Sequence, residues 1–282
     1  MQLKRRTLLS GLAASAAVPF MSAAHAKQAD ADTKWDKETD VLVIGYGGAG
    51  ACAAIEAHDN GSKVLIIEKM VQPGGNTAIS SGGFMVPQDG PTALKYLTAT
   101  YDLANSEKDD ELLNTFCKEI MGVKDWMTGL KEGTELWVYG HAGFQNLPGW
   151  EVIDKYRVRG KKRSGDCLFD LYRYAVEEKR NIPVMLETPA VQLIQKDGQV
   201  VGAVAKNNGK NINIKANKAV ILTTGGYEFD PESLRTYAQG ENYHALGNPG
   251  NTGDGLRMAQ SMGARLWHMT ALSLIHISEP TR

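Results

Sequence analysis

Thr39-Asp-Val-Leu-Val-Ile-Gly-Tyr-Gly-Gly-Ala-Gly50 carries a buried-strand pattern straight into the turn Gly45-x-Gly47-x-x-Gly50. The Val and Ile run predicts a short strand, and the residues after it predict a helix from Ala51 to Asn60 closed by Gly61. A second strand follows from Lys63 to Glu68, which completes a βαβ unit with right-sized parts. In such a unit each glycine has a task. Gly45 permits positive φ in the tight turn, Gly47 lets the backbone approach a pyrophosphate, and Gly50 allows the helix to pack closely on the strand. The free N–H groups at the helix start then face the phosphates. Glu68 stands 23 residues after Gly45, near the roughly 20-residue offset of a carboxylate that accepts ribose hydroxyls. Its charge repels a 2′-phosphate, so the pattern favours a dinucleotide other than NADP.

The first 26 residues are a separate unit. Lys4-Arg5-Arg6, an apolar run from Leu8 to Phe20 and Ala24-His25-Ala26 make a charged region, a stretch too short to span a bilayer and a small-residue cleavage site. This is an export signal of the twin-arginine type, with no integral membrane span, and places the mature protein in the periplasm or on the outer face of the cell membrane. A noncovalent cofactor loaded before export is a physical reason to export a folded chain. Removing three cations takes the formal charge from −1 to −4, and neither value suggests nucleic acid. Cys52, Cys117 and Cys167 are odd in number and far apart, so no disulfide framework or metal site is read from them. Cys52, in the first turns of the helix, is expected to be a packed thiol. The absence of Cys-x-x-Cys-His excludes a c-type haem in this chain, so electrons come from a separate partner.

Residues 74–83, Gly-Gly-Asn-Thr-Ala-Ile-Ser-Ser-Gly-Gly, decide which dinucleotide. Two glycine pairs around a polar run predict a ligand-wrapping loop without strand or stable helix. Gly75 and its neighbours let backbone lie against a flat ring, while Asn76, Thr77 and Ser80 offer hydrogen bonds to a pyrophosphate or ribityl chain. A plain NAD domain has no need of this loop.

The strand, the Gly45 to Gly50 turn, Glu68-Lys69, the Gly74-Gly75-Asn76-Thr77 loop and Gly82-Gly83 together resemble the flavoprotein family of fumarate reductase and succinate dehydrogenase. Soluble fumarate reductases, urocanate reductase-like enzymes and 3-ketosteroid Δ1-dehydrogenases belong to the same family. Two downstream stretches resemble it as well: the apolar strand Ala219 to Leu222 ending in Thr223-Thr224-Gly225-Gly226, and Asn251-Thr252-Gly253-Asp254-Gly255. The resemblance implies noncovalent FAD, since Ser80 and Ser81 stand where covalently flavinylated members have a histidine. It implies that backbone at Gly47, Gly48, Ala49 and Gly50 holds the pyrophosphate and that Glu68-Lys69 lies at the ribose. Asn76, Thr77, Gly82 and Gly83 would line the ribityl chain and flavin, Val191 would meet the adenine through its backbone, Asp254 would lie near the ribityl side, and Thr224, Gly225 and Gly226 would also bind the cofactor.

Elsewhere the sequence reads as scaffold. Leu112, Phe116, Ile120, Val123, Met127 and Leu130 recur at helical spacing, as do Leu168, Leu171, Ala175 and Val176, and both sets are expected in the core. From Val191 to Ala216, turns at Asp197-Gly198 and Asn208-Gly209 predict a small β-meander beside the main sheet. His141, flanked by Gly140 and Gly143, is a candidate to face a substrate. A helix through Leu256, Met258, Ala259 and Met262 follows the Asp254 turn, and residues 273–282 depart from the family's pattern and read as a non-native tail.

The fold expected is thus α/β, a Rossmann-like FAD-binding domain over residues 27–272 that is incomplete, with a small β-meander and a capping domain missing or only begun. The resemblance implies an exported FAD-dependent oxidoreductase acting on CH–CH groups, in which hydride passes between flavin N5 and an activated carbon–carbon double bond, as in enoate reduction. The substrate would be a small carboxylate or carbonyl-conjugated alkene, and the electron source a separate cytochrome or quinol. Catalytic side chains would lie mostly beyond this chain. Two other readings stay open: a 3-ketosteroid Δ1-dehydrogenase-like oxidation, toward which Ser81 to Pro87 and Leu266-Trp267 lean, and a non-catalytic flavin-binding subunit.

Overall fold

The computed structural model describes residues 26–30, 33–238, 244–267, 269 and 277–278. The expected export signal therefore lies outside the described residues, apart from its last position, as does the expected tail apart from Ile277–Ser278, which pairs antiparallel with His244–Ala245.

A short strand β1 (Lys27–Gln28) precedes β2 (Lys37–Ile44), helix α1 (Gly48–Asp59) and β3 (Val64–Ile67), which form the expected βαβ unit. Asn60 and Gly61, the latter at φ +78°, end α1. Next come α2 (Gly75–Ile79), β4 (Gly83–Pro87), α3 (Gly90–Leu103), α4 (Asp110–Glu119), α5 (Val123–Gly129), β5 (Leu136–His141), β6 (Ile153–Val158) and α6 (Ser164–Arg173). The chain continues through β7 (Val184–Met185), β8 (Ala190–Lys196), β9 (Gln199–Asn207), β10 (Lys210–Leu222), α7 (Pro231–Ser233) and α8 (Asp254–Ser261).

Seven strands make the main sheet in the order β1-β8-β9-β10-β2-β3-β7, with β10, β2, β3 and β7 mutually parallel. The continuous apolar run of β2 follows from burial on both faces. Val41 and Val43, with Val64 and Ile66 of β3, pack under Ala51, Ala54 and Ile55 of α1 and Leu168, Leu171 and Val176 near α6. Leu42, Ile44, Leu65 and Ile67 point the other way, onto Leu193, Ala203, Ile214 and Met258.

The meander forms as its turns dictate: β8, β9 and β10 are antiparallel neighbours, and Asp197-Gly198 and Asn208-Gly209 hold positive φ in both residues of each two-residue turn. It is continuous with the main sheet, because β10 runs through a register shift between Ala216 and Ala219 and pairs along β2 up to Leu222↔Ile44. A separate antiparallel sheet, β4-β6-β5, packs with α3 and α4 around Ala93, Tyr96, Cys117 and Ile153.

Two expectations fail. The helical stripe is displaced by one residue in α4: Leu113 and Cys117 are buried, while Leu112 is 61% exposed and Phe116 50%. A 3₁₀ turn at Ile120–Gly122 breaks the period, so only Met127 and Leu130 of that stripe reach full burial. The second correction concerns residues 74–83, where Gly75–Ile79 is helical and Gly83–Pro87 a strand. Tertiary contact overrides local propensity here. Gly74 N–H donates to Tyr46 O at 2.8 Å, and Gly165 of α6 lies against the Thr77, Ala78 and Ser80 carbonyls so closely that a Cβ there would collide with them. Cys52 is packed as expected, and burial pushes its thiol pKa up.

The end of α1 is tied to the segment before β7 by Arg180, whose Nε and Nη2 donate to Asp59 at 2.7 and 2.5 Å. The guanidinium holds the Asp59 carboxyl down to about 2. A carboxyl depressed in the folded chain stabilises it above the unfolded value of about 3.9, and that contribution disappears as pH falls toward 2. Asp59 is 44% exposed, which limits the effect to about 1 kcal/mol or less. Asp59→Asn should therefore lower unfolding free energy by up to about that amount at pH 7, with the difference from the parent chain vanishing on acidification; urea melts at pH 7, 4 and 2.5 measure it.

Candidate functional site

Strands β10, β2 and β3 end in register, Leu222↔Ile44↔Ile67, so the segments leaving them, 223–226, 45–47 and 68–70, emerge side by side. A cavity of about 540 Å³ opens at this edge, where ligands of doubly wound sheets bind. The turn is fastened from both sides. Gly45 N–H donates to Ile67 O and Thr223 N–H to Ile44 O, both at 2.8 Å. Gly45 takes φ +106°, and a Cβ on it would run into the Thr223 carbonyl.

Glu68 is 8% exposed and its carboxylate closes the same turn: Oε2 accepts from Tyr46 N–H at 2.7 Å and Oε1 from Met70 N–H at 2.8 Å. Each oxygen keeps a lone pair, so the group can still accept from a ligand hydroxyl.

Helix α1 starts at Gly48 with no side-chain cap and no acid in its first turn. Thr77 Oγ1 accepts from Gly48 N–H at 3.0 Å. By helix geometry the amides of Ala49 and Gly50 have no intrahelical acceptor, and with the positive end of the dipole they are suited to an anion. Opposite them, Lys69 Nζ donates to Asp254 at 2.6 Å and to Thr252 Oγ1 at 2.8 Å. Asn76 Nδ2 donates to Glu228 at 2.8 Å, and Asn76 Oδ1 accepts from Asn248 N–H at 2.7 Å.

Of the residues expected at the site, Gly45, Gly47, Gly48, Ala49, Glu68, Lys69, Gly75, Asn76, Thr77, Thr224, Gly225, Gly226 and Asp254 line this cavity. The others do not. Gly50 packs α1 onto the turn, where a Cβ would run into Gly45 O and meet the Thr223 hydroxyl. Ser80 Oγ bonds Thr77 O and Gly82 N–H, and Gly82 and Gly83 lead into β4, pressed against the Ser164 carbonyl and the Tyr139 ring respectively. Val191 sits at a register shift in β8 with its side chain exposed, and Thr188 and Ala190 are the residues of that segment that reach the cavity. His141 ends β5 in the other sheet, bonded to Asp154 at 3.1 Å and edge-on to Trp150, away from the cavity lining. Sequence reasoning missed Glu228, Asn248 and Asn251. A signal was present in Gly225-Gly226-Tyr227-Glu228, where a carboxylate stands two residues past the glycine pair.

Residues 40–275 match the family described as FAD binding domain. The chain belongs to this family. It is 31% identical over 241 residues to the fumarate reductase (cytochrome) of Shewanella frigidimarina, covering 82% of this chain and 41% of that protein. It is 32% identical over 246 residues to the urocanate reductase of Eggerthella lenta, covering 82% of this chain and 39% of that one. The chain thus spans about two fifths of the length of these relatives. In fold it is similar to the 3-ketosteroid-Δ4-(5α)-dehydrogenase of Rhodococcus jostii, with a TM-score of 0.76, 24% identity and coverage of 88% of this chain and 58% of that one.

The cavity fits FAD. Gly45, Gly47, Gly48, Gly75, Gly225 and Gly226 present bare backbone along its wall, uncapped amides lie at one end, and the carboxylates of Glu68 and Asp254 line it. Among the described residues no helix is long and apolar enough to cross a membrane.

Replacing Glu68 by Ala would leave the Tyr46 and Met70 amides without their acceptor. We expect a loss of about 2 kcal/mol or more in unfolding free energy, even without ligand, measured by urea denaturation.

Proposed function

We propose that the chain is the FAD-binding part of an exported reductase that acts on an activated carbon–carbon double bond. The observation that carries the reading is the glycine-walled cavity at the joined ends of β10, β2 and β3, faced by Thr77 and Asn76. In this reading Ala49 and Gly50 amides bind the pyrophosphate and Glu68 the adenosine ribose. Thr188 and Ala190 lie at the adenine beside the proposed Val191 backbone. Asn76, Thr77, Gly225, Gly226 and Asp254 hold the ribityl side, while Ser80, Gly82 and Gly83 stand outside the cavity lining and support the segment that carries Thr77. When bound, FAD supplies hydride transfer, and the protein supplies orientation and electrostatics.

Relatives with more than 30% identity are named as reductases of fumarate and urocanate, which favours an unsaturated carboxylate over the ketosteroid alternative, where the likeness is one of fold. Attachment is noncovalent, the electron donor is a separate cytochrome or quinol carrier, and the signal at Lys4-Arg5-Arg6 sends the folded protein outward.

The full chain should take up FAD, and acid precipitation should release all of the flavin into the supernatant. Flavin left in the pellet would contradict noncovalent attachment, and preference for NAD over FAD in a fluorescence titration would overturn the reading. In the whole protein, oxidation of reduced methyl viologen should respond to fumarate or crotonate, whereas activity confined to a 3-ketosteroid would establish the alternative. Changing Arg5 and Arg6 together to Lys should leave the protein in the cytoplasmic fraction, as cell fractionation and immunoblotting would show.

A further inference from the structure

Glu228 is a buried carboxylate that faces no cation. It is 5% exposed, yet among the described residues it makes no ion pair. Oε1 accepts from Asn76 Nδ2 at 2.8 Å and Asn251 Nδ2 at 2.6 Å, both neutral donors. The cations of the adjoining network are engaged elsewhere: Lys69 on Asp254, and Arg257 on Asp230 and Asp254. Glycines at 226 and 247 make room for it, since a Cβ on Gly226 would run into Oε2 and one on Gly247 would come within 3.3 Å of Oε1. Gly226, Asn76 and Asn251 all line the cavity, so the carboxylate stands directly behind its wall.

The arrangement joins three segments distant in sequence. Through Asn76, whose Oδ1 accepts from Asn248 N–H, Glu228 connects α2 to the 247–252 turn and to its own strand-end loop. Hydrogen bonding alone does not call for a charge here: a neutral amide would accept from both asparagines, and an unpaired buried carboxylate is expensive to desolvate. A fixed negative charge behind a cofactor cavity has a definite electrostatic effect. Reducing a flavin adds negative charge to it, and in a low-dielectric site the nearby carboxylate raises the free energy of the reduced form relative to the oxidised one.

We propose that Glu228 is a positioning residue for the cofactor that fixes Asn76 and Asn251 at the wall and whose charge holds the bound flavin at a low reduction potential, so that it gives electrons to substrate. The proposal rests on the flavin reading above and deepens it, since a lowered potential suits a reductase rather than a dehydrogenase.

The test is the midpoint potential of the full chain loaded with FAD, measured spectroelectrochemically beside the FAD dissociation constant. In Glu228→Gln the amide oxygen still accepts from both asparagines while the charge is gone. The potential should rise by about 30 mV or more, a tenfold change in a two-electron equilibrium, with FAD affinity within about threefold of the parent chain. A residue with a purely structural role would lower melting temperature or affinity without moving the potential; an unmoved or lowered potential in flavin-loaded Glu228→Gln overturns the proposal. Should that chain fail to fold, Glu228→Asp decides, because it withdraws the charge by one methylene: an upward shift supports the proposal and an unchanged potential overturns it. Failure of the parent chain to bind FAD would instead overturn the functional reading, and this inference with it.

Discussion

Two backbone amides, those of Tyr46 and Met70, converge on one buried carboxylate at the end of β3. The rest of the site depends on this contact. A glycine turn has little intrinsic preference for one conformation, and Gly45 to Gly48 hold their shape because Glu68 on one side and Thr223 on the other fix the strands that frame them. With the turn fixed, α1 starts in a defined direction with its first amides toward the cavity. Gly47 then pairs with Gly74, and the short helix α2 begins from that bridge.

The cavity is assembled by long-range contacts. Asn76 meets Glu228 across 152 positions of chain, Asn248 meets Asn76 across 172, and Lys69 meets Asp254 across 185. Each of these contacts joins segments far apart in the chain, so order in the cavity requires the complete sheet beneath it. That dependence suits a ligand gripped along its whole length, because the segments that line the cavity come from the ends of β2, β3 and β10 and from helices α2 and α8.

Much of this was legible in the sequence where the signal was local. The Val and Ile run, the glycine turn and the helix stop at Gly61 gave the βαβ unit because each is a short-range rule. Asp197-Gly198 and Asn208-Gly209 gave the meander because both residues of each turn must take positive φ. Helix at Gly75–Ile79 was illegible, since glycine-rich composition argues against it and the support comes from α6, some ninety positions downstream. In α4 the period misled: Leu112 and Phe116 fit a stripe, but the buried face is set by Leu113 and by Cys117, which packs in the cluster with Ile153 of the second sheet. The main run of cavity glycines was found for the same local reasons. Glu228 was not: the glycine pair before it marks a turn, but its burial is set by Asn76 across 152 positions and Asn251 across 23.

Strand β10 belongs to two regimes at once. Its first half zips onto β9 through a two-residue turn, a contact that needs almost no search, whereas its second half docks beside β2, whose residues lie more than 170 positions earlier. Closing a loop of that size is slow compared with forming a hairpin. The meander is therefore a natural early nucleus, and during biosynthesis the β2 edge must wait, unpaired and strongly apolar, until the ribosome has delivered Leu222. That interval of waiting is the stage at which a chaperone has most to shield.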